Sequence, residues 1–191
     1  MFNFLKNGTG QLLQLFFQDP GKKFYVREIS RILNKEPGQF QRILNNLVEE
    51  GLLIDEREAN LRYFKLNKEY PLYDELKKIV SKTLGIEAKL KKLAEEFKRI
   101  KYAFIFGSIA ADKENTLSDI DLMLVGKADE DKLILKINKL EEELEREINY
   151  HVFDKAEFIK KRNDKNDFIV EILKAPKILL KGRIDDLTKL N

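Results

Sequence analysis

The chain has no cysteine and no tryptophan, one histidine, and four prolines in 191 residues. Without cysteine, disulfides and thiolate metal sites are excluded. Long apolar runs are also missing. The opening Met1-Phe2-Asn3-Phe4-Leu5 is too short for a signal sequence, and no stretch nears the roughly 18 apolar residues of a membrane span. These absences predict a cytoplasmic protein with no membrane partner. An excess of one charge is lacking too, the net charge being +3. Its distribution is uneven: 11 Lys/Arg against 9 Asp/Glu over residues 1–70, 8 against 5 over 71–100, and 17 against 19 over 101–191. The mildly basic front favours an anionic partner there.

What is present separates into three regions, with no internal repeat. In residues 1–70, Thr9 is expected to cap a helix carrying Leu12, Leu13, Leu15, Phe16 and Phe17, stopped by Asp19-Pro20-Gly21. A second helix runs from Val26 to Leu33. The turn Asn34 to Gly38 follows, with Pro37 suited to the first turn of a third helix. That helix carries Phe40, Ile43, Leu44, Leu47 and Val48 and ends at Gly51. Strands are expected at Leu52-Leu53-Ile54 and at Tyr63 to Leu66, joined by a polar loop from Asp55 to Asn60.

Residues 71–100 are expected to form a helical connector. Leu72, Leu76, Ile79, Thr83, Ile86, Leu90, Leu93, Phe97 and Ile100 follow a heptad spacing. Two readings stay open: a helix, or two broken near Gly85, packed on its own domains, or a seam that pairs two chains in a homodimer. In residues 101–191 the pattern turns α/β. Strands are expected at Tyr102 to Phe106, Asp119 to Val125 and Ile148 to Phe153, a helix over 129–146, helical segments around Phe158 and Phe168 to Leu173, and a last strand near Lys177 to Leu180.

The helix–turn–helix–hairpin order is what places one helix in a DNA major groove and a loop on the adjacent backbone. The third helix leaves Gln39, Gln41, Arg42, Asn45 and Asn46 free of core duty. Amides pair with adenine and Arg with guanine or phosphate. The hairpin adds Arg57 and Arg62, and Lys22, Lys23 and Arg27 are suited to phosphates. The run Gln41 to Leu53 resembles the recognition helix and first wing strand of archaeal and bacterial winged-helix regulators. That resemblance implies DNA as a partner.

The sharpest motif lies further on. A strand ends in Gly107-Ser108, ten residues intervene, and Asp119-Ile120-Asp121 opens the next strand. Alternation sends Asp119 and Asp121 to one face and Ile120 to the other. Paired carboxylates can hold Mg²⁺ ions that bridge nucleotide phosphates. Gly107 permits close approach of the backbone to phosphate, while Ser108 offers a hydroxyl and an amide at a helix start. Lys113 and Ser118 lie in the intervening loop and can add phosphate contacts. A lone Asp-x-Asp says little; this spacing behind a strand says much more.

The motif resembles the nucleotidyltransferase superfamily that includes DNA polymerase β, in particular its minimal members with Gly-Ser-x10-Asp-x-Asp. The resemblance implies that Gly107, Ser108 and Ser118 bind a nucleoside triphosphate and that Asp119 and Asp121 are catalytic metal ligands for Mg²⁺ or Mn²⁺. Members add a third carboxylate on the next strand as ligand and base. The hydrophobic pattern puts Asn149 there, and an amide takes no proton at neutral pH. Glu147 or Asp154 can be weighed as substitutes, though Asp154 has the opposite parity. His151, on the Asn149 face, is ordinarily a structural residue in such a place, with a base role as the alternative.

The expected architecture is therefore α+β: an N-terminal winged helix-turn-helix, a helical connector, and a C-terminal nucleotidyltransferase-fold mixed sheet with flanking helices. Two functions follow. One is a DNA-binding transcriptional regulator whose back domain holds NTP and Mg²⁺ with little or no turnover. The alternative is an active enzyme that moves a nucleoside monophosphate to a hydroxyl on a protein or small molecule, in the manner of antitoxins that adenylylate a partner toxin's tyrosine. Nothing resembles an aminoglycoside-binding domain, which disfavours an antibiotic-modifying role.

Overall fold

The structure is a computed structural model that describes Leu5, residues 7–113, residues 118–183 and Asp186. Met1 to Phe4 of the opening apolar run lie outside the described residues. The chain divides into two compact units, 1–85 and 86–191. The division falls at Gly85, inside the stretch that the heptad spacing assigns to a connector.

The first unit runs α1 (Gly8–Gln18), β1 (Phe24–Tyr25), α2 (Val26–Leu33), α3 (Gly38–Glu49), β2 (Leu53–Glu58), β3 (Leu61–Leu66) and α4 (Tyr73–Thr83). Its three strands form an antiparallel sheet in the order β1-β3-β2. Leu12, Phe16, Phe24, Ile29, Phe40, Leu44 and Phe64 are fully enclosed, with Leu76 and Ile79 of α4 packed on them. Each such side chain contributes roughly 1.5–3 kcal/mol by leaving water.

Three local expectations are corrected. Thr9 does not cap α1: the helix starts at Gly8 with Asn7 in the cap position, so Thr9 lies inside the first turn. The polar stretch from Asp55 is not a loop as far as Glu58. It continues β2, paired residue by residue down to Glu58 opposite Leu61, leaving Ala59 and Asn60 as the turn. Cross-strand ion pairs hold those polar residues in the ladder: Asp55 with Arg62 at 2.7 Å and Glu56 with Lys65 at 2.9 Å. The two-residue β1 was not anticipated, being too short to carry an alternation of its own.

The second unit runs α5 (Ile86–Glu96), β4 (Ile100–Phe106), α6 (Gly107–Ala110), β5 (Ile120–Gly126), α7 (Glu130–Leu144), β6 (Ile148–Phe153), α8 (Lys155–Asn163), α9 (Asp167–Lys174) and β7 (Ile178–Lys181). The sheet order is β6-β5-β4-β7, with β5 and β6 parallel and the other pairs antiparallel. One face carries Ala103, Ile105, Leu122 and Leu124 beneath Leu90 and Leu93 of α5 and Leu133 and Ile137 of α7. The opposite face carries Phe104, Phe106, Met123 and Val125 beneath Phe158 of α8 and Ile169 and Ile172 of α9. Both faces are covered, as the continuous apolar runs of β4 and β5 require.

Most of the heptad positions pack inside the units, whereas Leu72 is exposed. Leu90, Leu93, Phe97 and Ile100 are buried in the second core, and Leu76 and Ile79 pack on the first. Three helices of the second unit start on side-chain caps. Asp129 accepts from the Lys132 amide at 3.0 Å, Asp154 from Glu157 at 2.8 Å, and Asn166 from Ile169 at 3.3 Å. The Lys181 ammonium donates to the carbonyls of Ala94 (2.8 Å) and Phe97 (3.1 Å), tying β7 to the end of α5.

Candidate functional site

The apolar alternation that buries Ile120, Leu122 and Leu124 on the α5–α7 side leaves Asp121 on the α8–α9 side with Met123 and Val125. Asp121 pairs in register with Phe106 on one side and with Asn149 on the other. Asn149 Nδ2 donates to Asp119 Oδ2 at 3.3 Å, while its backbone stands in register with Asp121. The sheet thus brings Asp119, Asp121 and Asn149 to one corner.

Gly107 closes that corner. Its φ is +72°, in the left-handed region where glycine is favoured. A Cβ there would run into the Asp121 carboxylate, lying 3.1 Å from its Cγ. The glycine therefore lets the Asp121 carboxylate lie against its backbone. Ser108 follows in the short α6, half-buried, with its carbonyl accepting from the Lys113 amide at 2.9 Å. Ser118 is half-buried just ahead of Asp119.

Electrostatics at the corner disfavour the charged form of Asp121. Burial, and then the negative charge of Asp119, push the Asp121 carboxyl above the ordinary aspartate value, while His151 draws it down. Among the described residues, no group of three or more His, Asp or Glu converges as a metal-binding set. Asp154 is occupied as the cap of α8, and Glu147 is an exposed side chain just before β6, its carbonyl accepting from Ile120 at 2.9 Å. The donors at the corner are the carboxylates of Asp119 and Asp121, with the Asn149 amide nitrogen turned to Asp119. A divalent cation fits them: the two oxygen-donor acids are hard ligands, and their mutual repulsion is what a cation relieves.

The sequence did not point to the aromatic cluster beside the acids. His151 lies 4.8 Å, centroid to centroid, from Phe168 of α9 and 6.2 Å from Phe106, and it stacks on Phe153 at 6.4 Å. Phe168 sits in an ordinary amphipathic run, so no local pattern distinguishes it.

In the first unit, Gln39, Gln41, Arg42 and Asn46 are exposed on α3, and Arg57 is exposed on β2. Asn45 and Arg62 are half-buried and tied to each other. Arg62 Nη1 donates to Asn45 Oδ1 at 2.7 Å, its Nε donates to Asp55 at 2.7 Å, and its guanidinium lies over Phe64. That pair locks the hairpin onto α3. Lys23 bridges Glu56 (3.1 Å) and Glu58, Lys22 reaches Glu28 at 3.6 Å, and Arg27 is exposed. No helix among the described residues is long and apolar enough to cross a membrane.

No curated protein matches the chain. Several solved structures are similar at low identity. A toxin–antitoxin structure with AMP-PNP aligns at 18% identity, covering 55% of this chain and 79% of that one, with a TM-score of 0.40. A complex of tri-AMPylated HEPN toxin with MNT antitoxin from Shewanella oneidensis aligns at 18% identity over 55% of this chain and 76% of that one, with a TM-score of 0.36. A Sulfolobus solfataricus protein described as a nucleotidyltransferase aligns at 21% identity over 49% and 73%, with a TM-score of 0.27. The family model for polymerase beta, nucleotidyltransferase, matches residues 88–183, just over half of the 191-residue chain. This chain belongs to the polymerase beta-type nucleotidyltransferase family.

Proposed function

We propose that the second unit binds a nucleoside triphosphate with a divalent cation and transfers its nucleoside monophosphate to a hydroxyl. The observation that carries this reading is the corner where Gly107, held at positive φ, admits the Asp121 carboxylate against its backbone, with Asp119 and Asn149 hydrogen-bonded next to it. Asp119 and Asp121 are the residues to hold Mg²⁺ or Mn²⁺, and Gly107, Ser108 and Ser118 line the place for phosphates. A cation bound there supplies neutralisation of phosphate charge and relief of the Asp119–Asp121 repulsion.

In the reaction, the acceptor oxygen bonds to the α-phosphorus, the α–β bridging bond breaks and pyrophosphate departs. In this reading Gly107, Ser108 and Ser118 hold the phosphates, and Asp119 and Asp121 hold the cation whose charge favours their ionised forms. Asn149 orients Asp119 through its 3.3 Å hydrogen bond and takes no proton. The acceptor's proton therefore passes to solvent, and turnover is slow. As acceptor we assign a partner-protein hydroxyl, the chemistry named for the AMPylated toxin complex. The setting we assign is the cytoplasm.

The test is incubation with α-labelled ATP, GTP, CTP and UTP, Mg²⁺ or Mn²⁺, and the protein encoded beside this one. Label should pass to the acceptor and fall at least about 100-fold with Asp119→Ala. A chain that binds nucleotide yet transfers nothing, even as Asn149→Asp, would leave only the nucleotide-sensing reading.

A second activity is proposed for the first unit: a winged helix that binds DNA. The exposed Gln39, Gln41, Arg42 and Asn46 on α3 favour it, and so does the β2–β3 hairpin with Arg57 exposed. Asn45 and Arg62 then position the hairpin rather than meet bases.

A further inference from the structure

Seven large apolar side chains are markedly exposed among the described residues, and Phe168 is the one aromatic among them, at 38%. A lone exposed apolar group is ordinary. Phe168 differs in what lies behind it. Its ring stands edge-on to His151 at 4.8 Å and to Phe106 at 6.1 Å. Phe106 ends β4, pairs in register with Asp121 and leads directly into Gly107. His151 lies two residues beyond Asn149 on the same strand and stacks on Phe153. The acid corner and the aromatic ledge are therefore contiguous on one face of the sheet.

The ledge is also rigid. Asn166 caps α9 through the Ile169 amide, and Ile169 and Ile172 are buried beneath the helix. These anchor α9, and Phe168 stays partly exposed while its ring packs edge-on against His151 and Phe106. A packed aromatic surface beside a phosphate corner suits a flat, π-bearing group, because little side-chain entropy is lost on contact.

We propose that Phe168, backed by His151 and Phe106, is the platform on which the nucleobase of the bound nucleoside triphosphate stacks. This deepens the nucleotide-binding reading above and rests on it. Stacking is tolerant of base identity because every base has a π-face. The ledge therefore favours purines over pyrimidines by contact area, without a sharp choice between adenine and guanine.

The chain has no tryptophan, so Phe168→Trp creates a single tryptophan at the ledge, excited selectively over the tyrosines. ATP with Mg²⁺ is expected to quench it saturably. Inorganic tripolyphosphate with Mg²⁺ is expected to bind by calorimetry with no quench. Phe168→Ala should weaken ATP about tenfold and leave tripolyphosphate affinity unchanged, while Phe168→Tyr retains ATP affinity. If Phe168→Ala does not fold, as judged by thermal melting, the Trp and Tyr variants decide. Equal ATP affinity in native and Ala proteins overturns the platform, and so does equal loss of both ligands. In both results the native protein still binds ATP, and the nucleotide reading stands. Failure of the native protein to bind either ligand overturns both.

Discussion

At the scale of single residues, Gly107 and Asp121 share one small space, and each constrains the other. Gly107→Ala puts a methyl group against the Asp121 carboxylate and strains a backbone at φ +72°. We expect a stability loss of about 1–2 kcal/mol together with loss of Mg²⁺-dependent nucleotide binding, read by melting and calorimetry. Asp121 itself should show a pH signature. Its folded carboxyl holds its proton more tightly than the ordinary aspartate value of 3.8, because of burial and Asp119. Its contribution to stability is full below that value and is lost as pH rises through the raised folded value. Without divalent cation, Asp121→Asn should therefore melt higher than the native protein near neutrality, with the gap closing towards pH 3. A gap that persists or widens in acid would contradict this. Asn149→Asp supplies a carboxylate at the third position and should raise transfer about 100-fold, measured as initial rate of label transfer.

Among the elements, the ones with strong periodicity could be read from the chain and the short or polar ones could not. β4 and β5 announce themselves through continuous apolar runs, and β6 matches its expected span from Ile148 to Phe153. The pairing of Asp121 with Asn149 follows from aligning those strands, so the acid corner was legible. β2 was read too short because Asp55, Glu56 and Glu58 are poor strand formers by composition. Their cross-strand partners Arg62, Lys65 and Lys23 outweigh that preference. The break near Gly85 is one of the two connector readings the sequence leaves open, and the helices α4 and α5 meet there; the packing of Phe168 on His151 and Phe106 depends on which faces meet, which spacing along one strand or helix does not encode. Lys181 shows the same limit: its two bonds to Ala94 and Phe97 join elements more than 80 residues apart. Lys181→Met should cost about 1–2 kcal/mol, since two carbonyls at the end of α5 lose a charged donor. Chemical denaturation checks it, with an unchanged midpoint as the contrary outcome.

For the whole molecule, the two compact units carry two separable activities in this account. Arg42→Ala should weaken DNA binding, reduce the slope of log affinity against log salt by about one if Arg42 meets a phosphate, and leave label transfer unaltered. Asp119→Ala should do the reverse. Binding of DNA that ignores Arg42→Ala would remove α3 from the interface. The nucleotidyltransferase claim is tested most directly by label transfer from α-labelled nucleoside triphosphate with Mg²⁺, comparing native protein with Asp119→Ala. The account predicts label on the acceptor with the native protein and at least about 100-fold less with the variant. Transfer undiminished in Asp119→Ala would contradict it.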